Sequence, residues 1–328
     1  MIRAPGFWRR GFPSPLARAL APLGAVYGAA AGARLARPAP RAELPVIVVG
    51  GLTLGGDGKT PTALALAALL RELGEAPAFS TRGYGGAAGR PPFRVDPERH
   101  TAAEAGDEAL LLARSAPTFA GVDRLAAARV AQAAGASVLI LDDGLHSRRI
   151  DADLALVVVD AGHGAGNGLC PPAGPLRAPL LRQLAIVDAV VVIGAGAAGD
   201  AIAALARSSG KPVFRAAVRP DPEAARRLAG APVLAFAGIA RPEKFFATLE
   251  ETGARLVGRR AFPDHHRFSR RDLFALDRQA RTLGARLVTT EKDAARCPGV
   301  GSVLPIVIRF QQEEALRAAL AGALTAAA

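Results

Sequence analysis

Short, continuous apolar runs recur through the first 210 residues of the chain. They cover residues 45–51, 137–144, 153–160 and 188–194. Two further strands are predicted at the start of 76–86 and at 117–121. Runs that are apolar on both faces are typical of a parallel sheet covered by helices on each side. The pattern therefore predicts an α/β fold in which strands alternate with helices at 61–73, 104–114 and 122–135.

The pattern restarts near residue 211, after a Gly- and Pro-rich segment at 161–183 that is typical of a functional or mobile loop. The predicted elements are strands at 212–218, 232–240, 254–262, 285–293 and 303–310, and helices at 242–253, 269–283 and the C-terminus. We therefore expect three parts: an N-terminal segment 1–40, an α/β domain 41–210 and a smaller α/β domain 211–328. The last helix is free to pack on either domain.

The N-terminal segment combines basic and aromatic residues with a weakly apolar stretch. Only about 15 residues lie between Arg18 and Arg34, fewer than the roughly 20 that a spanning helix needs. We predict a helix in the membrane interface, with Phe7 and Trp8 at headgroup level. A signal peptide and an ordinary helix capping the domain are the alternatives.

The net charge of the chain is +12, and its only lysines are Lys59, Lys211, Lys244 and Lys292. Such a charge indicates an acidic partner: nucleic acid, an anionic membrane or a phosphorylated substrate. The sequence has no cluster of stacking aromatic residues and no helix-turn-helix pattern, so we expect no nucleic-acid partner. Because lysine is so rare in this chain, the presence of Lys59 in a glycine-rich turn is not explained by amino-acid composition.

That turn follows the first predicted strand and precedes a helix, the arrangement of a phosphate-binding loop. Its residues are Thr53, Leu54, Gly55, Gly56, Asp57, Gly58, Lys59 and Thr60. Lys59 would reach the β- and γ-phosphates of a nucleotide, and Thr60 would bind Mg²⁺. Thr53 stands where the general motif has glycine. Asp57 adds a negative charge close to phosphate, and we expect its side chain to face solvent.

Three other stretches carry acidic or imidazole groups at element ends. Asp142 and Asp143 end an apolar strand, where a P-loop protein holds its magnesium, although either could be a turn residue. Asp107 begins a predicted helix and could be a helix cap or a catalytic group. His265, first of the pair in "FPDHHRF", follows a predicted strand; a surface histidine pair is the alternative.

Seven motifs occur in one order along nearly the whole chain: the loop 53–61, "RGYGG", "GDEALLLA", "DDGLHSRR", "NGLCPPAGPLR", "FPDHHRF" and "TTEKDAAR". This order resembles the tetraacyldisaccharide 4'-kinase family, the lipid A 4'-kinases of Gram-negative bacteria. The family's loop also has threonine where Thr53 lies. The resemblance implies ATP-dependent phosphorylation of the 4'-hydroxyl of a tetraacyldisaccharide 1-phosphate at the cytoplasmic face of the inner membrane.

The resemblance also implies roles for individual residues. Asp107 would be the general base and would act as a dyad with His265 of the second domain, with domain closure over the substrate. Arg177, and with it Tyr84, Arg82 and Arg124, would contact the substrate or phosphates. ATP and Mg²⁺ would be the cofactors, with Thr60, Asp142 and Asp143 at the metal. The partners would be the anionic glycolipid and the inner-membrane surface, and we expect a monomer bound peripherally.

The chain departs from the family pattern at three positions. His146 and Ser147 stand where the family has glutamine and histidine, and Ala178 stands where glutamate is usual. Two competing functions are open at this point. A membrane-associated P-loop ATPase or GTPase switch would explain the loop and Asp142–Asp143, but not "FPDHH". A nucleic-acid-binding protein is suggested by charge alone.

Overall fold

The computed structural model describes residues 5–83 and 91–327. Its strands are β1 Val46–Gly51, β2 Pro77–Thr81, β3 Phe93–Arg94, β4 Thr118–Ala120, β5 Val138–Asp142, β6 Leu154–Asp160, β7 Ala189–Ile193, β8 Val213–Pro220, β9 Pro232–Ala237, β10 Arg255–Ala261, β11 Arg286–Thr289, β12 Ser302–Val303 and β13 Ile306–Phe310. Its α-helices are α1 Pro15–Leu35, α2 Lys59–Glu72, α3 Ala102–Ala105, α4 Asp107–Ala113, α5 Arg124–Ala133, α6 Leu180–Leu184, α7 Ala197–Ser208, α8 Pro222–Leu228, α9 Pro242–Glu251, α10 Arg270–Thr282, α11 Glu291–Arg296 and α12 Glu313–Ala327.

The strands form two sheets. The larger has the order β13-β8-β7-β6-β1-β5-β2-β4-β3, and the smaller has the order β10-β9-β11-β12. In the larger sheet the strands from β8 to β4 pair in parallel, and the edge strands β13 and β3 are antiparallel to their neighbours. The expected parallel sheet is confirmed, with antiparallel strands at its two edges.

Each face of the larger sheet carries its own apolar core. One core joins the sheet to α5 and α7 through small residues such as Ala127 and Ala203. The other joins it to α2 and α12 through Leu66 and Leu316. Helices therefore cover both faces, as a sheet of continuous apolar strands requires. The last helix packs on the larger sheet.

The division between the two lobes differs from the expected boundary at residue 211. β8 pairs with β7 and so extends the larger sheet, and β13 returns to pair with β8 after the smaller sheet is complete. Residues 221–305 therefore form the smaller lobe, and the segments before and after it belong to the larger one. An apolar run predicts a strand but does not specify the sheet that the strand joins.

The predicted N-terminal helix is α1. Ser14 caps it by accepting a hydrogen bond from the Ala17 amide. Gly24, Gly28 and Gly32 lie on its buried side, and a Cβ at Gly28 would be 3.1 Å from Cys170 Sγ. On the outer side, large apolar side chains are exposed: Leu16, Leu23, Val26 and Tyr27. Among the described residues, no helix has the length and apolarity needed to cross a bilayer.

Candidate active site

The phosphate loop connects β1 to α2. Gly58, the residue before α2, has a φ of 93°, which glycine adopts without the strain that other residues incur. A Cβ at this position would also lie 2.6 Å from Ile193 Cδ1. Lys59 begins α2, and its Nζ donates to the Gly55 carbonyl oxygen at 3.1 Å. The predicted strand–turn–helix arrangement for phosphate is therefore present.

Within the loop, Leu54, Gly55 and Gly56 are exposed, whereas Thr53 and Asp57 are buried. The expectation that Asp57 faces solvent is wrong. Its carboxyl oxygens accept the Thr53 hydroxyl, each at 2.9 Å, because the curl of the loop brings these two side chains together. Thr53 at the position of the usual glycine thus supplies the hydrogen bond that a buried carboxyl group requires.

Burial of Asp57 has an electrostatic consequence. Burial raises its pKa, against the lowering effects of Lys59, the Thr53 hydroxyl, Arg177 and Arg241. The folded state therefore makes this carboxyl group harder to ionise than an exposed aspartate.

The predicted metal ligands Thr60 and Asp142 are in contact. The Thr60 hydroxyl donates to Asp142 Oδ2 at 2.9 Å, and both side chains are buried. Asp142 Oδ1 is buried without a hydrogen-bond partner among the described residues. Burial, with Glu108 and Asp143 nearby, raises the pKa of Asp142 to about 7. A partnerless buried oxygen next to a hydroxyl is a donor set that fits Mg²⁺.

Asp143 has a different environment from Asp142. It has a φ of 58°, and Arg177 contacts both of its carboxyl oxygens at 2.9 Å. Although burial opposes the shift, Lys59 and Arg177 lower the pKa of Asp143 to about 2. The structure therefore places Asp143 in a bidentate ion pair, and Asp142 alone beside Thr60.

Arg177 also fixes the Pro-rich loop against the phosphate loop. Its Nε donates to the Thr53 carbonyl oxygen at 2.9 Å. Its amide donates to the Leu52 carbonyl oxygen at 3.0 Å, and Leu54 donates to Pro175 at 2.8 Å. These bonds bring Arg177 beside both Asp143 and the phosphate loop.

The other residues predicted to contact the substrate are Arg124, Arg82 and Tyr84, and the two arginines differ in exposure. Arg124 is buried and donates to the Ser80 hydroxyl at 3.0 Å, at the end of β2. Burial and the neighbouring Arg82 lower its pKa to about 10. Arg82 is exposed. Tyr84 lies outside the described residues.

Asp107 and His265 meet between the lobes. Asp107 is the first residue of α4 and is buried, and its Oδ2 lies 3.3 Å from His265 Nδ1. Burial opposes ionisation of Asp107, but the bond to His265 and the charges of Arg296 and Lys292 lower its pKa overall. The bond to Asp107 raises the pKa of His265 despite partial burial. The structure thus brings together the acid and imidazole groups of two distant motifs.

Basic residues that sequence reasoning left without a role surround this contact. Arg296 contacts Asp107, and Lys292 Nζ lies 2.8 Å from Glu108 Oε1. Both cations belong to "TTEKDAAR" and both carboxylates to "GDEALLLA". Membership of these motifs indicated that the residues matter, but it could not show that the two motifs contact each other.

A second contact between the lobes lies at the phosphate loop. Arg241 donates to the Gly56 carbonyl oxygen at 2.9 Å and pairs with Asp160 Oδ2 at 2.8 Å. Lys244 pairs with the same carboxylate. Asp160 ends β6, next to β1 in the sheet, which explains how it reaches the loop. Arg241 and Asp160 lie in no motif quoted above.

His146, a departure from the family pattern, has a structural partner. Its Nε2 lies 2.7 Å from Gln183 Oε1, and Gln183 also donates to the Leu52 and Ala178 carbonyl oxygens. Burial is the main cause that lowers the pKa of His146, to about 4. This neutral imidazole supports the segment that follows Arg177.

A parallel sheet with a glycine-rich loop after β1, and a buried carboxylate at the end of the adjacent β5, defines a P-loop nucleotide-binding protein. The tetraacyldisaccharide-1-P 4'-kinase family model matches residues 16–325. The chain therefore belongs to this family, and it is a kinase.

Individual relatives agree. The chain is 55% identical over 325 residues to the tetraacyldisaccharide 4'-kinase of Methylobacterium nodulans, covering 98% of this chain and 96% of the relative. It is 48% identical over 337 residues to that of a Bradyrhizobium species, covering 99% and 96%. A crystal structure of LpxK from Aquifex aeolicus in complex with ATP matches with a TM-score of 0.73 and 23% identity, covering 94% of this chain and 99% of that chain.

Proposed function

We propose that this kinase transfers the γ-phosphoryl group of ATP to the 4'-hydroxyl of a tetraacyldisaccharide 1-phosphate. The observation that carries the proposal is the contact of Asp107 with His265 beside the phosphate loop. Lys292 is the main cause that lowers the pKa of Glu108, the residue after Asp107, and Lys59 is close enough to lower it as well. This proximity supports a catalytic base that acts next to a nucleotide cradle.

The phosphate loop would hold the nucleotide. Backbone amides of residues 53–60 and the Lys59 ammonium would neutralise the β- and γ-phosphates, a contribution that is largest in a site that excludes water. Thr60 and Asp142 would hold Mg²⁺, with Asp143 near them. When bound, the ion would offset charge on the transferring phosphoryl group.

Asp107 would accept the proton of the sugar hydroxyl. Phosphoryl transfer depends mainly on positioning and charge neutralisation, but a hydroxyl nucleophile benefits from a general base. His265 would orient Asp107 and carry positive charge. Because the two groups come from different lobes, closing the lobes would assemble the dyad and exclude water.

Arginines would bind the anionic parts of the substrate. Arg177 lies against the phosphate loop. Arg82 and Arg124 lie near the end of β2, where burial and the charge of Arg82 lower the pKa of Arg124. The resemblance implies that Tyr84 would also contact the substrate. Buried Arg124 can neutralise phosphate at little cost in side-chain entropy.

The N-terminal segment would bind the cytoplasmic surface of the inner membrane peripherally. Support comes from the exposed Leu16, Leu23 and Val26 along α1, with Phe12 exposed before it. Exposed apolar side chains gathered on one helix, in a chain with a charge of +12, suit an anionic interface. We propose that the protein acts there as a monomer.

The test is direct phosphorylation. Purified protein is incubated with ATP, Mg²⁺ and tetraacyldisaccharide 1-phosphate, and the lipid is examined for a mass gain of one phosphate. ADP production should depend on the lipid. Lipid-independent ADP production without a mass gain would instead support an ATPase switch.

Two variants test the assigned groups. Lys59→Ala should remove most turnover because the phosphates lose their nearest ammonium, and Asp107→Ala should do so because the base is lost, by roughly 100-fold or more each. Lys211→Ala is the control, because this lysine lies outside all seven motifs. Wild-type turnover in Asp107→Ala would contradict its role as base.

A further inference from the structure

Arg296, the last residue of α11, is nearly inaccessible and contacts both members of the dyad. Its side chain is 6% exposed. One terminal nitrogen, Nη2, pairs with Asp107 Oδ2 and lies 3.1 Å from His265 Nδ1. One guanidinium therefore touches the carboxylate from α4 and the imidazole from the smaller lobe.

The other terminal nitrogen fixes the guanidinium from behind. Nη1 donates to the Gly238 carbonyl oxygen at 2.7 Å and to Asp293 Oδ1 at 2.9 Å. Asp293 is fully buried and also accepts from the Gly238 amide at 2.9 Å and the Thr290 hydroxyl at 2.8 Å. Because these bonds lie within the smaller lobe, they orient Arg296 independently of Asp107.

The same lobe orients His265. Its amide donates to the Gly238 carbonyl oxygen at 3.0 Å, and its backbone has a φ of 57°. Gly238 thus links the backbone of His265 with the side chain of Arg296. The smaller lobe presents the imidazole and the guanidinium as one preformed unit, which Asp107 meets.

The Arg296 contact also bears on the proton of His265. Nδ1 cannot accept from Arg296 while it donates a proton to Asp107, so the two bonds belong to different tautomers or protonation states. A cation beside Asp107 favours the carboxylate over the acid. Arg296 therefore reduces the need for His265 to be the group that keeps Asp107 ionised.

We propose that Arg296 is a positioning residue of the phosphoryl-transfer reaction, holding Asp107 ionised and aimed at the sugar hydroxyl. The inference rests on the proposed role of Asp107 as base. In that step the sugar O–H bond breaks and its proton passes to the Asp107 carboxylate. The sugar oxygen then bonds to the γ-phosphorus as its bond to ADP breaks. Arg296 itself gains and loses no proton.

The charged groups around Asp107 define what a change at Arg296 would do. Arg296, His265 and Lys292 face it from the smaller lobe, and Glu108 follows it on α4. Asp264 and Asp293 lie on the far sides of His265 and Arg296. Without Arg296, Asp107 would retain two cationic neighbours instead of three, so its proton affinity would rise.

The experiment compares pH profiles of kcat for Arg296→Met and Arg296→Lys. Arg296→Met should lower kcat roughly 10- to 100-fold and move the acid limb up by about one pH unit or more, with KM for ATP little changed. Arg296→Lys keeps the positive charge but lacks the planar pair of guanidinium donors. The acid limb should therefore stay in place, and kcat should lie between those of Arg296→Met and the wild type. Arg281→Met, which removes an ion pair with Asp277 elsewhere in the lobe, is the matched control.

An unchanged acid limb and kcat in Arg296→Met would overturn the inference. If that variant does not fold, as thermal melting would show, Arg296→Lys decides: wild-type kcat would count against a positioning role. The role of Asp107 as base is tested separately: if that role is wrong, Asp107→Ala retains turnover. If Asp107→Ala loses turnover but Arg296→Met keeps the wild-type kcat and pH profile, the role of Arg296 is refuted and the proposed function stands.

Discussion

At the scale of single residues, the Thr53 hydroxyl and the Asp57 carboxyl form one buried unit of the phosphate loop. Neither group alone would be stable there, because a buried carboxyl without a donor retains the full cost of leaving water. The sequence shows an unusual residue at each position, 53 and 57. Their pairing could not be predicted, since it depends on the curl of the three residues between them.

The pair gives a stability prediction. Thr53→Val keeps the shape of the side chain but removes the donor, so both carboxyl oxygens of Asp57 lose the Thr53 hydroxyl. We expect the free energy of unfolding to fall by about 1–3 kcal/mol. The double variant Thr53→Val/Asp57→Asn should recover part of the loss, because the amide carries no charge. Equal chemical denaturation midpoints for wild type and Thr53→Val would contradict the pairing.

At the same scale, the sequence identified the catalytic candidates better than their neighbours. Asp107, His265, Lys59, Thr60 and Asp142 were found because their residue types are rare or occur at strand and helix ends. Arg296 and Arg241 were missed as functional residues. Arginine is abundant in this chain, and burial, which distinguishes these two, is a property of the tertiary structure.

At the scale of elements, most long regular segments were predictable and most short ones were not. The strands β1, β5, β6 and β7 are buried along their whole length, and their apolar runs were evident. The two-residue strands β3 and β12 and the short helices α6, α8 and α11 were missed, because such short segments contain too few residues to establish a period. The twelve-residue helix α7 was missed as well.

The two ends of α2 provide a matched pair of glycine variants, Gly58 before the helix and Gly74 after it. Gly58 and Gly74 both have positive φ, 93° and 90°, but a Cβ at Gly58 meets Ile193 whereas a Cβ at Gly74 meets nothing within 4 Å. Gly74→Ala should therefore cost only backbone strain, about 1 kcal/mol. Gly58→Ala should cost more and weaken ATP binding severalfold, measured by calorimetry. Equal losses in the two variants would show that the contact with Ile193 is unimportant.

The helix α1 gives a second prediction at this scale. Deleting residues 1–30 removes most of its exposed apolar side chains, and the protein should then leave the membrane fraction. The measurement is sedimentation with vesicles containing anionic lipid. A milder control, Leu23→Ser/Val26→Ser, leaves the buried glycines in place and should also reduce binding. Truncated protein that still sediments with vesicles would contradict an interfacial role.

At the scale of the whole molecule, two groups of ion pairs join the lobes. One lies at the dyad, with Arg296 and Lys292 against α4, and the other lies at the phosphate loop, with Arg241 and Lys244 against Asp160. Charged contacts of this kind suit surfaces that must separate and meet again, since the groups are solvated when apart. The sequence predicted two lobes but could not predict how they meet.

Asp160 connects this arrangement to pH. Its pKa lies below the ordinary value of 3.8: burial opposes the shift, but the bonds and charges of Lys244 and Arg241 outweigh it. The folded state therefore favours the ionised form. The stability it contributes is present above the unfolded pKa and is lost as pH falls through the folded value.

Asp160→Asn should accordingly lower the free energy of unfolding at pH 7, by roughly 1–3 kcal/mol. The difference from wild type should shrink as pH falls below about 4. Denaturant unfolding at a series of pH values measures this. Asp200→Asn, which removes an exposed ion pair with Arg215, is the control and should change little. A difference independent of pH would show that the charge of Asp160 contributes nothing.

The pairing of Pro220 with Ile306 on β8 and β13 means that the smaller lobe is an insertion into the chain of the larger one. Its two ends lie side by side on one sheet edge, so a short glycine-containing linker could replace residues 221–305 without altering the order of the remaining strands. The shortened protein would keep the phosphate loop with Thr60 and Asp142, but not His265 or Arg296. Nucleotide binding could then be studied in the shortened protein, and phosphoryl transfer to a hydroxyl in the full-length chain.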